Sequence, residues 1–276
     1  MTPLRQRMLE DLLRYNYAPR TQQTYVGQIA KLARHFGVSP DRLTREQVQE
    51  YQNLLASRGV SSLPQAVAAM QFFYNKTLGR DWKITHSPRR KAKRLPVVLT
   101  PEEVSRLLAA VESPKARMLL TVMYGCGLRI SEAAGLEVRD IDSQRMVIHI
   151  RQSKGRKDRY VPLGATLLAA LREYWRAERP TGFLFPGSQA DKPLSVAAVR
   201  EEFRLAKRIA GIETPCTTHT LRHSYASHCL AAGMEVSAIQ QILGHASLET
   251  TATYTHVTAG TTGTADTFPD LLDERL

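Results

Sequence analysis

The chain has 276 residues, 43% of them hydrophobic and 23% charged, with a formal net charge of +12. That length predicts two domains, each able to bury its own core, and the composition excludes disordered and fibrous classes. The longest nearly apolar run, Met118 to Leu128, is about half of the ~20 residues that span a bilayer, and the first residues lack the apolar core of a secretory signal, so a cytoplasmic protein without a membrane partner is expected.

Chain order begins with a helical pattern. In Thr21 to Phe36, Tyr25, Ile29, Leu32, Ala33 and Phe36 recur at steps of three and four, and Gly37 closes the run. Thr44 with Gln47 three residues on forms a capping-box pattern for a second helix that ends at Gly59. A third run, Pro64 to Leu78, puts Val67, Met70, Phe73 and Tyr74 on one side. Residues 1–88 are therefore expected to form a small all-helical domain. Residues 89–96 then carry Arg89, Arg90, Lys91, Lys93 and Arg94 with no acid, between Pro88 and Pro96. Such a segment is too charged for a core and reads as a basic linker. A solvated tether would explain it, but residues 1–88 add a further excess of basic over acidic side chains, and lysines and arginines that neutralise phosphates gain affinity by counterion release. Nucleic acid is the partner class that this charge points to.

Beyond the linker, Thr100-Pro-Glu-Glu starts a helix over 99–111, followed by helical runs over 116–124 and 130–136 on either side of a Gly125-Cys-Gly127 break. The period then changes. Met146 to Ile150 and Arg159 to Leu163 are strand-like and flank Ser153-Lys154-Gly155-Arg156, which predicts a β-hairpin with Lys154 at its tip. Helical spacing returns over 167–176, 195–209, 218–232 and 236–243. The fold class expected is mainly α, a small all-helical N-terminal domain plus a mostly helical domain with a small antiparallel β-sheet. Cys126, Cys216 and Cys229 are odd in number and widely spaced, which suggests neither disulfides nor a zinc site.

The helix over 218–232 carries His219-Thr-Leu-Arg222-His223. His219 and Arg222 share one face, while Leu221, Tyr225 and Cys229 form an apolar stripe. Two readings compete here: a satisfied structural pair, or His219 and His223 as zinc ligands at a spacing of four, against which Arg222 would repel a cation. Further polar groups sit at breaks. Arg129 follows Gly127, with Glu132 able to pair with it, and His245 follows Gly244. Tyr254 lies nine residues later in a Thr-rich segment.

Gly127-Leu-Arg129-Ile-Ser-Glu132, the hairpin Ser153-Lys154-Gly155, His219-Thr-Leu-Arg222-His223-Ser-Tyr-Ala, Leu243-Gly-His245 and Thr250-Thr-Ala-Thr-Tyr254-Thr-His together resemble the tyrosine recombinases, the family of phage integrases and Xer proteins. The resemblance covers about residues 20–256. It implies that Arg129, Lys154, His219, Arg222, His245 and Tyr254 fill the family's six active-site positions in order. It implies a core-binding domain over 1–88, a linker over 89–96, a catalytic domain over 97–256, and a tail over 257–276 that docks in trans on a neighbouring copy. In that tail Phe268, Leu271, Leu272 and Leu276 recur at helical steps after Thr267 and Pro269, which predicts an amphipathic helix, and folding back on its own domain is the alternative to docking in trans.

The implied activity is site-specific recombination: DNA strands are cleaved and rejoined through a 3′-phosphotyrosyl intermediate without metal, ATP or any cofactor. The implied partners are double-stranded DNA with inverted-repeat core sites and three further copies of the chain in a synaptic homo-tetramer. The chemistry suits the residues, since phosphodiester cleavage needs a nucleophile, fixed positive charge on the non-bridging oxygens and a proton for the leaving oxygen. A type IB-like topoisomerase and a catalytically silent DNA-binding regulator are the alternatives.

Overall fold

The structure, a computed structural model, describes residues 2–60, 62–85, 96–151, 158–244 and 269–272. Two compact units divide the chain, Met1–Ala92 and Lys93–Leu276.

The first unit is helical throughout its described residues. Helices α1 (Pro3–Arg14), α2 (Pro19–Phe36), α3 (Arg45–Ser57) and α4 (Leu63–Phe72) follow one another, and α4 runs into a π-helical turn, Phe73–Thr77. Proline near the start of α1, α2 and α4 sits where a missing N–H costs nothing. Gly37 ends α2 in the left-handed region at φ 67°. The capping box expected at Thr44 forms: Gln47 N–H donates to Thr44 Oγ1 at 3.3 Å and Thr44 N–H donates to Gln47 Oε1 at 2.9 Å. Val26, Ile29, Leu32, Met70 and Phe73 meet in one apolar core.

In the second unit, α5 (Pro101–Ala109), α6 (Pro114–Gly125) and α7 (Ile130–Ala134) precede a three-stranded antiparallel sheet of order β1-β2-β3. Its strands are β1 (Ile141–Asp142), β2 (Val147–Ile150) and β3 (Arg159–Pro162). The expected hairpin is the β2/β3 pair, with Ile150 opposite Arg159 and Val147 opposite Pro162. Helices α8 (Ala165–Glu178), α9 (Val196–Ile209), α10 (Thr218–Ala231) and α11 (Val236–Leu243) complete the unit. Their core includes the stripe Leu221, Tyr225 and Cys229 of α10, all fully buried.

No helix among the described residues is long and apolar enough to cross a membrane. Burial raises the thiol pKa of all three cysteines, that of Cys229 to about 12.

Of the expected tail helix only residues 269–272 are described, and they form a turn. The reason lies in what they touch. The N-cap of α8 is Gly164, which has no side chain to cap it, and the Asp270 carboxylate accepts from Thr166 N–H at 2.9 Å instead. A Cβ on Gly164 would stand 2.6 Å from that carboxylate. Leu272 is buried against Gly125 and Leu167 of the same unit.

Candidate active site

Three of the six expected site residues lie in the described structure, and it brings them together. Gly127 begins the arrangement. Its φ of +60° turns the chain out of α6, and a Cβ there would lie 2.5 Å from the Tyr225 ring, so the backbone approaches α10 as only glycine permits. Two residues later Arg129 precedes α7, where its backbone N–H donates to Glu132 Oε2 at 2.9 Å and its Nη1 to Glu132 Oε1 at 2.7 Å. The pairing of Arg129 with Glu132 that the sequence allows therefore exists, and it belongs to a larger network.

Arg222 is 1% exposed, the largest fully buried side chain among the described residues. A guanidinium tolerates such a position only when acceptors surround it. Its Nη1 donates to Gly127 O at 2.7 Å and its Nη2 to Leu243 O at 2.6 Å, which ties the α6–α7 turn to the end of α11. Glu132 Oε2 stands 3.9 Å from Nη1.

His219 lies one turn back along α10 on the exposed side. Partial burial, then the positive charges of Arg222 and Arg129, lower its pKa. These causes favour the neutral imidazole, and the two charges reach it from the N-cap of α7 and from α10. Its ring meets that of His223 edge-on at 4.7 Å between centroids. Burial, followed by the charges of His219 and Arg222, pushes the His223 pKa down to about 4. Among the described residues no group of three or more His, Cys, Asp or Glu side chains could hold a metal ion.

Lys154, His245 and Tyr254 fall outside the described residues, as do Arg89, Arg90, Lys91, Lys93 and Arg94 of the linker. The described structure nevertheless reaches the segments that carry two of them. Strand β2 ends at Ile150 and β3 starts at Arg159 on either side of Lys154, and α11 ends at Leu243 with Gly244 in the left-handed region, φ 62°.

Two further residues of the network have roles that the motifs do not convey. Glu132 is a hub rather than a local partner: burial works to raise its pKa, but the hydrogen bonds and charges of Arg159 and Arg129 outweigh that and hold it down at about 2. Arg159 has its own signal, since in a strand it shares a face with Val161, which is fully buried. An arginine in register with a core valine must find buried acceptors.

Comparison with known proteins agrees with this geometry. Residues 97–260 match the phage integrase family, and residues 4–84 match the N-terminal SAM-like domain of phage integrases. The chain belongs to the phage integrase family of tyrosine recombinases.

An integrase/recombinase of Escherichia coli is 34% identical over 319 residues, covering 97% of this chain and 94% of that protein. The tyrosine recombinase XerD of Bifidobacterium longum is 35% identical over 248 residues, 80% of each chain. In fold the chain is similar to a lambda integrase crystallised as a dimer on a COC′ core site, with a TM-score of 0.71 at 18% identity over 90% of this chain and 95% of that one. As a member of this family the chain is a site-specific recombinase, an enzyme that breaks and rejoins DNA strands. A topoisomerase or a silent DNA-binding regulator is not favoured by these similarities.

Proposed function

We propose that this recombinase cleaves duplex DNA with Tyr254 as its nucleophile and Arg129, Lys154, His219, Arg222 and His245 around the scissile phosphate. The Tyr254 Oη attacks phosphorus, its proton passes to His219, and a 3′-phosphotyrosyl ester forms. The bond from phosphorus to the 5′-oxygen breaks, and Lys154 supplies the proton that the departing oxygen needs. Attack by a 5′-hydroxyl on the ester reverses the step and releases the tyrosine, so rejoining draws on bond energy stored in the ester rather than on ATP. Arg129 and Arg222 bind the non-bridging oxygens, and His245 adds a hydrogen bond to them. Loss of one such group should slow cleavage about 10²–10³-fold.

The observation that carries this reading is the convergence of Arg129, Arg222 and His219. Two guanidinia, one at the N-cap of α7 and one on α10, supply the charge that phosphoryl transfer requires, and a histidine whose pKa is lowered by burial and by both charges is biased to the form that accepts a proton. The same reading assigns Arg89, Arg90, Lys91, Lys93 and Arg94 to phosphate contacts and places the protein in the cytoplasm. It has four copies acting on two duplexes with inverted-repeat core sites. Within that tetramer the seat of Asp270 and Leu272 takes the tail of a neighbouring copy, which couples one subunit's activity to the next.

Tyr254→Phe tests the assignment. Duplexes that form a gel-stable adduct with the wild-type chain can be selected from a random library to recover its site. On a nicked duplex of that sequence the Phe variant should form no adduct while binding with unchanged affinity, because only the nucleophilic oxygen is removed. An adduct formed by the Phe variant would exclude Tyr254 from the role.

A further inference from the structure

The buried charge beneath Arg129 and Arg222 includes a third guanidinium, and its contacts give it a task. Arg159 opens β3 with a side chain only 11% exposed. Its Nη1 and Nη2 donate to the two oxygens of Glu132 at 3.1 and 2.8 Å, and its Nε donates to Ile242 O at 2.7 Å. Its Cδ, Nε and Nη1 pass close to Gly244, where a Cβ would stand 3.3–3.4 Å from them. Arg222 holds the next carbonyl of α11, that of Leu243. The end of α11, which would otherwise leave carbonyls without partners, is thus held by two arginines that meet Glu132 from different sides.

We propose that Arg159 is a positioning residue for DNA cleavage, one that occupies Glu132 so that Arg129 and Arg222 keep their charge directed at the phosphate. The argument rests on the residue roles proposed above. Glu132 has two oxygens, and a carboxylate pairs best with a guanidinium that binds both at once. Arg159 takes that bidentate position, which leaves Arg129 side-chain bonded to Glu132 through Nη1 alone. Without Arg159 the carboxylate would be open to a two-oxygen pair with Arg129. That pair would turn the guanidinium inward and neutralise it, because a bidentate carboxylate competes for the same donors as a phosphate. Arg159 also pins the end of α11 through the Ile242 carbonyl.

The test uses the full-length chain and the selected nicked duplex, made with either a normal scissile phosphate or a methylphosphonate, in which a methyl group replaces one non-bridging oxygen and removes the negative charge. Single-turnover adduct formation is measured at saturating protein for wild type, Arg159→Met and Arg159→Lys. A misdirected clamp should slow cleavage of the normal phosphate by about 10²-fold in the Met variant at unchanged DNA affinity. The defect should shrink at least tenfold on the methylphosphonate, where there is less charge to stabilise. Adding Glu132→Gln to Arg159→Met should restore part of the rate on the phosphate, since the competing carboxylate is gone. Should the Met variant not fold, the Lys variant carries the same comparison, because an ammonium cannot span both carboxylate oxygens and the Ile242 carbonyl. Equal slowing on both substrates, or none on either, overturns the positioning role while leaving cleavage by the wild type intact. A wild type that forms no adduct on the normal phosphate overturns the residue roles and this proposal with them.

Discussion

Arg80 in the N-terminal unit and Arg222 in the catalytic unit do similar work in different surroundings. Arg80 donates to the carbonyls of Leu43 and Asp41 and lies over the rings of Tyr74 and Trp82, at 5.7 and 4.8 Å from their centroids. It is half-buried, and its partners are aromatic faces and backbone. Arg222 also takes two carbonyls, but it is fully buried, and a carboxylate and a second arginine stand beside it. The first arginine staples a fold. The second holds together the segments that carry the site, and its burial gives it one orientation. The difference shows where the second unit departs from ordinary core packing: it keeps a guanidinium in its interior, held by two carbonyls with a carboxylate beside it.

The contrast can be broken by mutation, because the chain's two tryptophans, Trp82 and Trp175, fall one in each unit. A Trp82→Phe background reports the catalytic unit and a Trp175→Phe background reports the N-terminal unit. The largest effect is expected from Glu132→Ala, which leaves Arg159 and Arg222 as buried charges without their carboxylate. In urea denaturation followed through Trp175 it should cost roughly 3–5 kcal/mol. Leu32→Ala, a cavity in the fully buried core of the first unit, should cost about 2–5 kcal/mol through Trp82. The two losses are similar in size and opposite in origin. Replacing Glu132 by Gln, which keeps one carbonyl acceptor, should recover part of the first loss. If Glu132→Ala costs under about 1 kcal/mol, the interior charge is not structural and the contrast fails.

Two glycines sharpen the comparison at smaller magnitude. Gly37 and Gly127 both sit in the left-handed region, at φ 67° and 60°. A Cβ at Gly37 meets nothing within 4 Å, whereas at Gly127 it meets the Tyr225 ring at 2.5 Å and Leu243 at 2.8 Å. Gly37→Ala should therefore cost only the backbone penalty, about 1–2 kcal/mol. Gly127→Ala should cost about 1–3 kcal/mol more, from overpacking. It should also slow cleavage, because Gly127 O is an acceptor for Arg222. Equal losses in stability would show that the close approach at Gly127 relaxes freely.

These contacts also explain what the sequence could convey. The helix over 236–243 and the hairpin were legible because period and breakers are local properties. Strand β1 was not, since two residues, Ile141 and Asp142, carry no alternation and owe their state to pairing with Val147 and Ile148. The contact made by the tail was not legible either, since Asp270 caps a helix whose N-cap, Gly164, lies 106 residues earlier in the chain. Of the proposed site residues, Arg129, His219 and Arg222 stand in motifs that the sequence displays, while Glu132 and Arg159 are joined by a bond spanning 27 residues that no local pattern encodes. The shared face of Arg159 and Val161 marks the arginine as buried but not its partner.

The smallest effect expected is a pH dependence confined to the catalytic unit's interior. His223 has its pKa lowered from 6.5 to about 4 by burial and then by the charges of His219 and Arg222. Between those values the unfolded chain binds a proton that the folded chain does not, so stability falls as pH drops from 6.5 towards 4 and loses nothing further below. Glu132 behaves differently. Its pKa is lowered from 4.5 to about 2, so its contribution is intact above 4.5 and is lost only as pH falls towards 2. The interval from pH 6.5 to 4.5 therefore separates the histidine from the carboxylate. Thermal melting followed through Trp175 at pH 7.5 and 4.5 should show a drop that His223→Gln reduces. The drop should not vanish, because the pKa of His219 is lowered as well and acts in the same direction. Since His223 is only partly shielded from solvent, the change is expected to be modest, on the order of a few degrees in Tm. An identical drop in wild type and variant would mean that His223 accepts its proton in the folded chain as easily as in the unfolded one, and that the interior tolerates a further positive charge beside Arg222.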